Sequence, residues 1–396
     1  MSLIRHSYAS TALGALLVAF SIGSAAAQDA NAVAQRLKET WAVQGADFAW
    51  SGVSGSGGQV VLDGVTVGAP GLPPFSIGKV TLDNVTDANG GYTIGLMTVD
   101  PFTYSKDALT VTASASTFTN VRLPAAGQTD LFSNLMHSDN GKIDKIEVKV
   151  GDKQVATIEN THFEAVPPVG KKTAFTGAAE KVTADLTAIP DPKTQGVIAA
   201  LGYQQITGNA QFAGSWDLAD GRMEFSKYDI AVDNAGKIGM TFDISGYTPE
   251  FFKATQDLQK QMDANAGGAD KSAQEAAMLG LMQQLLFNGA SLRFDDASLT
   301  NKALDFIAKQ QGADPAQLKE QTKAIVPFLL ASSPIKDEAL KKSITDAVAA
   351  YIDDPKSITI RAKPAAPQSF AAIAAQGAAD PAALTTSLGV SVTAND

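Results

Sequence analysis

The chain has 396 residues and a formal net charge of −10, with 41 acidic against 31 basic side chains. Its only dense basic points are the isolated pairs Lys171-Lys172 and Lys341-Lys342, which argues against nucleic acid as a partner and against polybasic docking on anionic membranes. There is no cysteine, which removes disulfides, thiolate metal sites, thiol nucleophiles and a lipidated cysteine.

The first 27 residues have the form of a secretory signal peptide. Arg5 and His6 form the basic start, Thr11 to Ile22 the apolar run, and Ala25-Ala26-Ala27 the small residues before a cut between Ala27 and Gln28. The run is too short to span a bilayer as a helix. No later stretch reaches 18 consecutive apolar residues, so no transmembrane anchor is expected after cleavage. Export implies the periplasm, a compartment poor in ATP and NAD, and no cofactor is expected.

Val33, Leu37 and Trp41, spaced i, i+4, i+8, predict a helix over residues 30–42. From Gly58 the apolar period becomes two. Gln59 to Val67 reads as a strand bulged at Gly64, and Ser76 to Val85 as a second. Asn89-Gly90 turns the chain into Tyr92 to Val99. Ala108 to Val121 reads as one long strand, and Lys142 to Val150 pairs with Gln154 to Ala165. Residues 205–246 supply three more strands joined by short turns, which is antiparallel hairpin chemistry.

After Gly246 helices dominate. Thr248-Pro249-Glu250 supplies a cap, an N1 proline and an early acid for a helix to about Asn265, which Gly267-Gly268 ends. Ser272 to Phe287 is a second helix, with a wide apolar stripe through Leu279, Met282 and Leu286. A strand at Ser291–Ala297 precedes helices at about 301–311, 315–332 and 336–353. The middle one carries Ile325, Phe328 and Leu329. A last strand, Ser357 to Ala362, leads into a Pro/Ala-rich tail. The expected fold is α+β, a large curved antiparallel β-sheet with helices concentrated in the C-terminal half. Its expected parts are a signal peptide (1–27), a β-rich region (28–246), a helix-rich α+β region (247–363) and a tail with a short terminal helix (364–396). Phe242 to Thr248 also echoes Phe294 to Thr300, either as two chance strand-to-helix corners or as a duplicated unit that packs helices on one end of a sheet.

The chemistry that the sequence offers is sparse. His137 and His162, the two histidines after the leader, lack a metal-ligand partner at helical or strand spacing. Ser138-Asp139-Asn140 and Ser333-Pro334-Ile335-Lys336 spell S-D-N and S-x-x-K, but in the reverse order to penicillin-recognising enzymes and without K-T-G. The acid pairs Asp295-Asp296 and Asp353-Asp354 stand where a helix cap and a turn need them. A pair of acids facing a sugar would make a carboxylate-dependent hydrolase, the third reading here. No catalytic, cofactor or metal residue is assigned, and the protein is expected not to be an enzyme.

What remains is apolar surface. The strand faces and the helices at 272–287 and 315–332 either close on each other as a core or leave a groove for an acyl chain. Leu279, Met282, Leu286, Ile325, Phe328 and Leu329 are the candidate groove residues. The leading expectation is a soluble periplasmic protein that binds a lipid or another apolar ligand in a sheet groove. The alternative is a structural module that binds an envelope protein through sheet edges or amphipathic helices.

Leu292 to Thr300, Asp353 to Ile360 and the closing Asp380 to Leu384, Leu388 to Val390 and Ala394-Asn395 resemble a group of exported alphaproteobacterial proteins of unknown function, as do Gly214 to Asp217 and Gly221 to Glu224. That group is distantly similar to AsmA-like envelope proteins. The resemblance covers roughly residues 205–395 and implies a long curved sheet associated with lipid handling, with no catalytic residue to carry over.

Overall fold

The computed structural model describes residues 29–43, 46–69, 72–127, 137–169, 171–264 and 271–396. The expected signal peptide, with Ala27 and Gln28, lies outside the described residues.

Helix α1 (Ala30–Val43) precedes β1 (Asp47–Ala49), β2 (Gly52–Ser56), β3 (Gln59–Ala69), β4 (Leu72–Ala88) and β5 (Gly91–Val99). Then come β6 (Phe102–Lys106), β7 (Leu109–Ala113), β8 (Ser116–Leu123), β9 (Asn140–Val150), β10 (Lys153–Val169) and β11 (Lys172–Asp185). Helix α2 (Pro192–Leu201) leads to β12 (Gln205–Asp217), β13 (Arg222–Val232) and β14 (Gly236–Ser245). Helices α3 (Pro249–Ala264) and α4 (Lys271–Gln284) precede β15 (Leu286–Asp296), followed by α5 (Leu299–Gln311), α6 (Pro315–Ala331) and α7 (Glu338–Asp353). The chain closes with β16 (Ser357–Ala362), β17 (Gln368–Ser369), α8 (Phe370–Ala379), α9 (Pro381–Ser387) and β18 (Val390–Ala394).

All the strands belong to one open antiparallel sheet, the α+β architecture expected from the sequence. Its spine runs β3–β4–β5–β8–β9–β10–β11–β12–β13–β14–β15–β16–β18, each strand bonded to the next. β1 and β2 share the outer edge of β3, and β7 continues the line of β8 along β9. The far edge is covered, because Ser343 Oγ of α7 donates to the Val392 carbonyl at 2.8 Å.

Three sequence readings change. Ala108 to Val121 is two strands, since Ser114 leaves the strand line and bonds Lys145 N through its Oγ. The helix at 272–287 stops at Gln284, because Leu286 and Phe287 are held in the ladder with Ser245 and Ile244. The sheet itself continues across residue 246, from β14 to β15 around two helices. The Pro/Ala-rich tail is structured: it forms β17, two helices and the last strand. Strand β11 and helix α2 were not anticipated. The first hides among small residues such as Ala174, Gly177 and Ala178. The second is announced by Asp191-Pro192, where the Asp191 carboxylate accepts from Thr194 N at 2.8 Å.

Burial is concentrated at the N-terminal end. Nine of the ten largest fully buried side chains lie between Val33 and Val121, and Thr359 is the tenth. Val33, Ala34 and Leu37 of α1 press onto the apolar face of β3, β4, β5 and β8, and Trp41 stacks at 5.3 Å on Phe48. Leu37→Ala therefore opens a cavity in the densest part of the molecule and is expected to cost about 2–5 kcal/mol. Phe328→Ala on exposed α6 should change stability by less than about 0.5 kcal/mol. Urea denaturation of both variants checks the contrast.

Candidate functional site

Register turns the alternation of each strand into rows that cross the sheet. One row passes through Val60, Leu82 and Met97, in direct cross-strand contact. It continues through Phe118, Gly141, Phe163, Gly177 and Phe212. It ends with Tyr228, Met240, Leu292, Ile360 and Val392. Thirteen successive strands thus present an apolar residue or glycine at the same level. A parallel row on the same face runs Ala165, Phe175, Gly214, Phe225, Phe242, Ala290 and Ala362. On the other side lie Ala210, Ile230, Ile238, Phe294 and Ile358.

Helices cover this face only in part. At the N-terminal end α1 buries Val60, Leu82 and Met97 to 4 % exposure or less. Toward the C-terminal end Leu304 and Ala308 of α5, Leu318 of α6 and Tyr351 and Ile352 of α7 pack on Phe294, Ile358 and Ala394. Phe251 and Leu258 of α3 and Leu281 of α4 gather with Tyr247 and Leu285 beyond the opposite ends of the strands. The Phe242/Phe294 echo explains this arrangement and corrects one reading of it. β14 and β15 are antiparallel neighbours, so their following helices, α3 and α5, leave opposite ends of the sheet rather than one. Between the two groups the floor stays open. Tyr228, Met240, Leu292 and Ile360 are 37–48 % exposed, a continuous apolar strip of the kind that marks a binding surface.

Two hollows sit on this strip. One of about 610 Å³ spans β13 to β16 over Tyr228, Met240, Phe242, Leu292 and Ile360. A second of about 370 Å³ spans β8 to β13 over Phe118, Ile143, Phe163, Ala179, Phe212 and again Tyr228. Both volumes suit a small apolar ligand.

The floor is level because aromatic rings recline over glycines on the neighbouring strand. A Cβ at Gly141 would strike the rings of Phe163 and Phe118, and one at Gly177 would strike Phe212. At Gly214 it would come 2.7 Å from Phe175 Cζ. The rings then meet across the glycine strands, Phe118 to Phe163 at 6.3 Å and Phe175 to Phe225 at 5.5 Å. Glycine at these strand positions admits a close neighbour rather than relaxing the backbone.

The intervening residues put charge on the other face. Lys142 pairs with Asp144, His162 with Glu180, and Lys237 lies between Asp229 and Asp295. Arg222 grips Asp243 at 2.7 and 3.1 Å, and Asn288 Nδ2 donates to the same carboxylate at 2.9 Å. Burial pushes the Asp243 pKa up, but the bonds from Arg222 and Asn288 outweigh it and hold the carboxyl below its ordinary 3.8.

The six candidate groove residues lie elsewhere. Leu279 and Met282 are on α4, Leu286 begins β15, and Ile325, Phe328 and Leu329 are on α6. None of them lines either hollow. Phe328 is 73 % exposed, pointing away from any covering element. The floor residues were readable as alternating apolar positions in 205–246, but the sequence did not show which face the helices leave bare.

The other chemical candidates have local structural bonds. Asp139 of the S-D-N triplet meets Arg122 and Asn120 at 2.8 Å. Lys336 of S-x-x-K meets Asp380 at 3.1 Å. Asp296 accepts from Thr300 N as a helix cap, and Asp353 accepts from Lys323. His137 lies in an isolated bridge with Arg122. Among the described residues no three metal-ligating side chains converge.

A family model described as "Uncharacterized protein" matches residues 229–395, from within β13 to the last strand. The match covers less than half of the chain; it takes in the helices beside the larger hollow and that hollow's lining except Phe225 and Tyr228. No curated protein matches the chain.

A carboxyl whose pKa is lower in the folded than in the unfolded state stabilises the fold above the unfolded value and loses that contribution as pH falls through the folded one. Asp243→Asn should therefore lower stability by about 1 kcal/mol at pH 7. The gap between variant and parent should close as pH drops below 3.8. Urea midpoints at pH 7 and pH 3 measure it.

Proposed function

We propose that this is an exported, soluble periplasmic protein, not an enzyme, that binds lipid or a similar apolar ligand on the open strip of its sheet. The observation that carries this reading is the exposed row Tyr228, Met240, Leu292 and Ile360, apolar in every member and flanked by covered apolar surface at both ends. An apolar face of this length left bare in water costs free energy at about 25 cal/mol per Å², which a hydrocarbon ligand would recover. The distant likeness to AsmA-like envelope proteins supports the same reading. So does the leader-like start of the chain, with its small residues before Gln28.

An envelope protein-protein interaction or structural module is the second reading. Its support is Ile325, Phe328 and Leu329, each more than half exposed on one stretch of α6. A carboxylate-dependent hydrolase comes third, because the acid pairs that would serve it are taken up by caps and ion pairs.

Expression with the leader intact, followed by native mass spectrometry and solvent extraction, tests the first reading. Lipid should leave with the purified protein, and Met240→Asp or Leu292→Asp should lose at least tenfold in affinity for a fluorescent fatty acid, since a buried unpaired carboxylate costs more than 1.4 kcal/mol. A clean apo mass and no probe binding would remove lipid as the ligand. Phe328→Ala should leave probe binding unchanged.

A further inference from the structure

The two hollows meet at one residue. Tyr228 lines both, and the row beneath them is unbroken from Phe118 on β8 to Ile360 on β16. Eight inter-strand steps of ~4.8 Å make that path about 38 Å long. Its width is two to three rows, flanked among the described residues by α5, α6 and α7 along the C-terminal strands.

Charge names the chemistry that fits. No charged side chain lies in the central row over these nine strands, in the row Ala165 to Ala362 over seven, or in the row Ala210 to Ile358 over five. Lys142, Asp229, Lys237 and Arg293 fall on the intervening positions, Lys142 and Asp229 reaching only the lining of the smaller hollow. The complementary occupant is uncharged over the stretch that lies on the floor, with any polar head beyond its end. The main chain of the floor offers almost nothing to hydrogen-bond, since its amides and carbonyls are committed to neighbouring strands on both sides. An extended peptide laid there would bury unpaired main-chain groups. Where protein does cover this sheet it bonds at the strand ends, as Trp216 Nε1 does to the Tyr247 carbonyl at 2.9 Å and Tyr203 Oη to the Asn234 carbonyl at 2.9 Å. In the middle of the floor the side-chain groups of this kind among the described residues include the Tyr228 hydroxyl and the Thr161 hydroxyl, the latter buried without a partner.

We infer that the hollows are two stretches of one lane, and that the lane holds a single long, unbranched hydrocarbon chain lying across the strands from β8 to β16. Gly141 and Gly177 are the specificity-determining positions. Without a side chain there, the rings of Phe118, Phe163 and Phe212 lie down and the smaller hollow stays open to the larger one. A side chain at either would raise a ring into the path. The inference rests on the lipid-binding reading above and adds the length and shape of the ligand to it.

Affinity for decanoate and stearate, measured by displacement of a fluorescent fatty acid from the purified full chain after delipidation, tests it. Each further methylene buried should tighten binding about fourfold, so stearate should bind at least a hundredfold better than decanoate. Two variants close the smaller hollow by independent routes: Gly177→Val lifts the Phe212 ring, and Ala179→Trp fills the space without replacing a glycine. In both, stearate should fall to the affinity of decanoate while decanoate keeps its own, which also certifies that the larger hollow is intact. Equal affinities in the parent, or a stearate advantage that survives in Ala179→Trp, would overturn the single lane while leaving lipid binding in place. Failure of the parent to bind either acid, or a polypeptide found filling the lane, would overturn the lipid reading and this inference with it.

Discussion

The structure depends on an unbroken antiparallel ladder held in register over thirteen strands. Alternation gives each strand an apolar and a polar side, and only pairing at a fixed register lines those sides up between strands. A one-residue slip anywhere would swing every later side chain to the wrong face. The bulges preserve this order. Between Phe225 and Tyr228 one extra residue enters β13, and between Phe287 and Ala290 another enters β15. In each case the two flanking apolar residues remain on the same face, three positions apart instead of two. Gly64, with φ of 59° between Leu62 and Val65, does the same in β3. These irregularities re-phase the chain where its pattern would otherwise drift out of the row.

Stability and openness occupy different parts of this one sheet. The N-terminal strands are sealed by α1, and the C-terminal ones are braced from two ends by separate groups of helices. Because β14 and β15 run in opposite directions, the helix that follows each is sent to a different end, and no element among the described residues is delivered to the middle. The bare strip is a consequence of topology, not of missing hydrophobicity. The reclining rings of Phe163, Phe175 and Phe212 give that strip a surface of its own, packed sideways against each other over Gly141, Gly177 and Gly214 rather than against a covering layer.

Most of the elements were legible from residue spacing, and the site was not. Val33, Leu37 and Trp41 defined α1, and Ser357 to Ala362 was bounded correctly as β16. Such signals are local, because a period of 3.6 or 2 is written within one segment. Strand β11 was missed because Ala174, Gly177, Ala178 and Ala179 have too little contrast to show a period. The Leu285 to Phe287 stretch continued a helical stripe in sequence, and only its distant partners in β14 pulled it into a strand. The floor is harder still. Phe118, Phe212 and Leu292 are separated by tens of residues, and they become neighbours on one lane only through a register that no single segment encodes. Exposed helix residues such as Phe328 and Leu329 were the more visible candidates for the simple reason that a stripe on a helix is contiguous in sequence.

The division of charge between the two faces makes such a surface tolerable. With the ionisable residues of the strands on the back, ion pairs such as Arg222–Asp243 and Lys237–Asp295 keep that face wetted, and a net charge of −10 opposes association of one copy with another. At the β18 end, the edge that could extend the sheet is closed by α7 through Ser343 and Val392. A molecule with an uncovered apolar strip has two routes to aggregation, face to face and edge to edge, and each is opposed here by a different device. Like-charge repulsion works at long range and fades with salt, whereas the covered edge is steric and does not. The apolar strip thereby stays open to solvent, with its residues 37–48 % exposed.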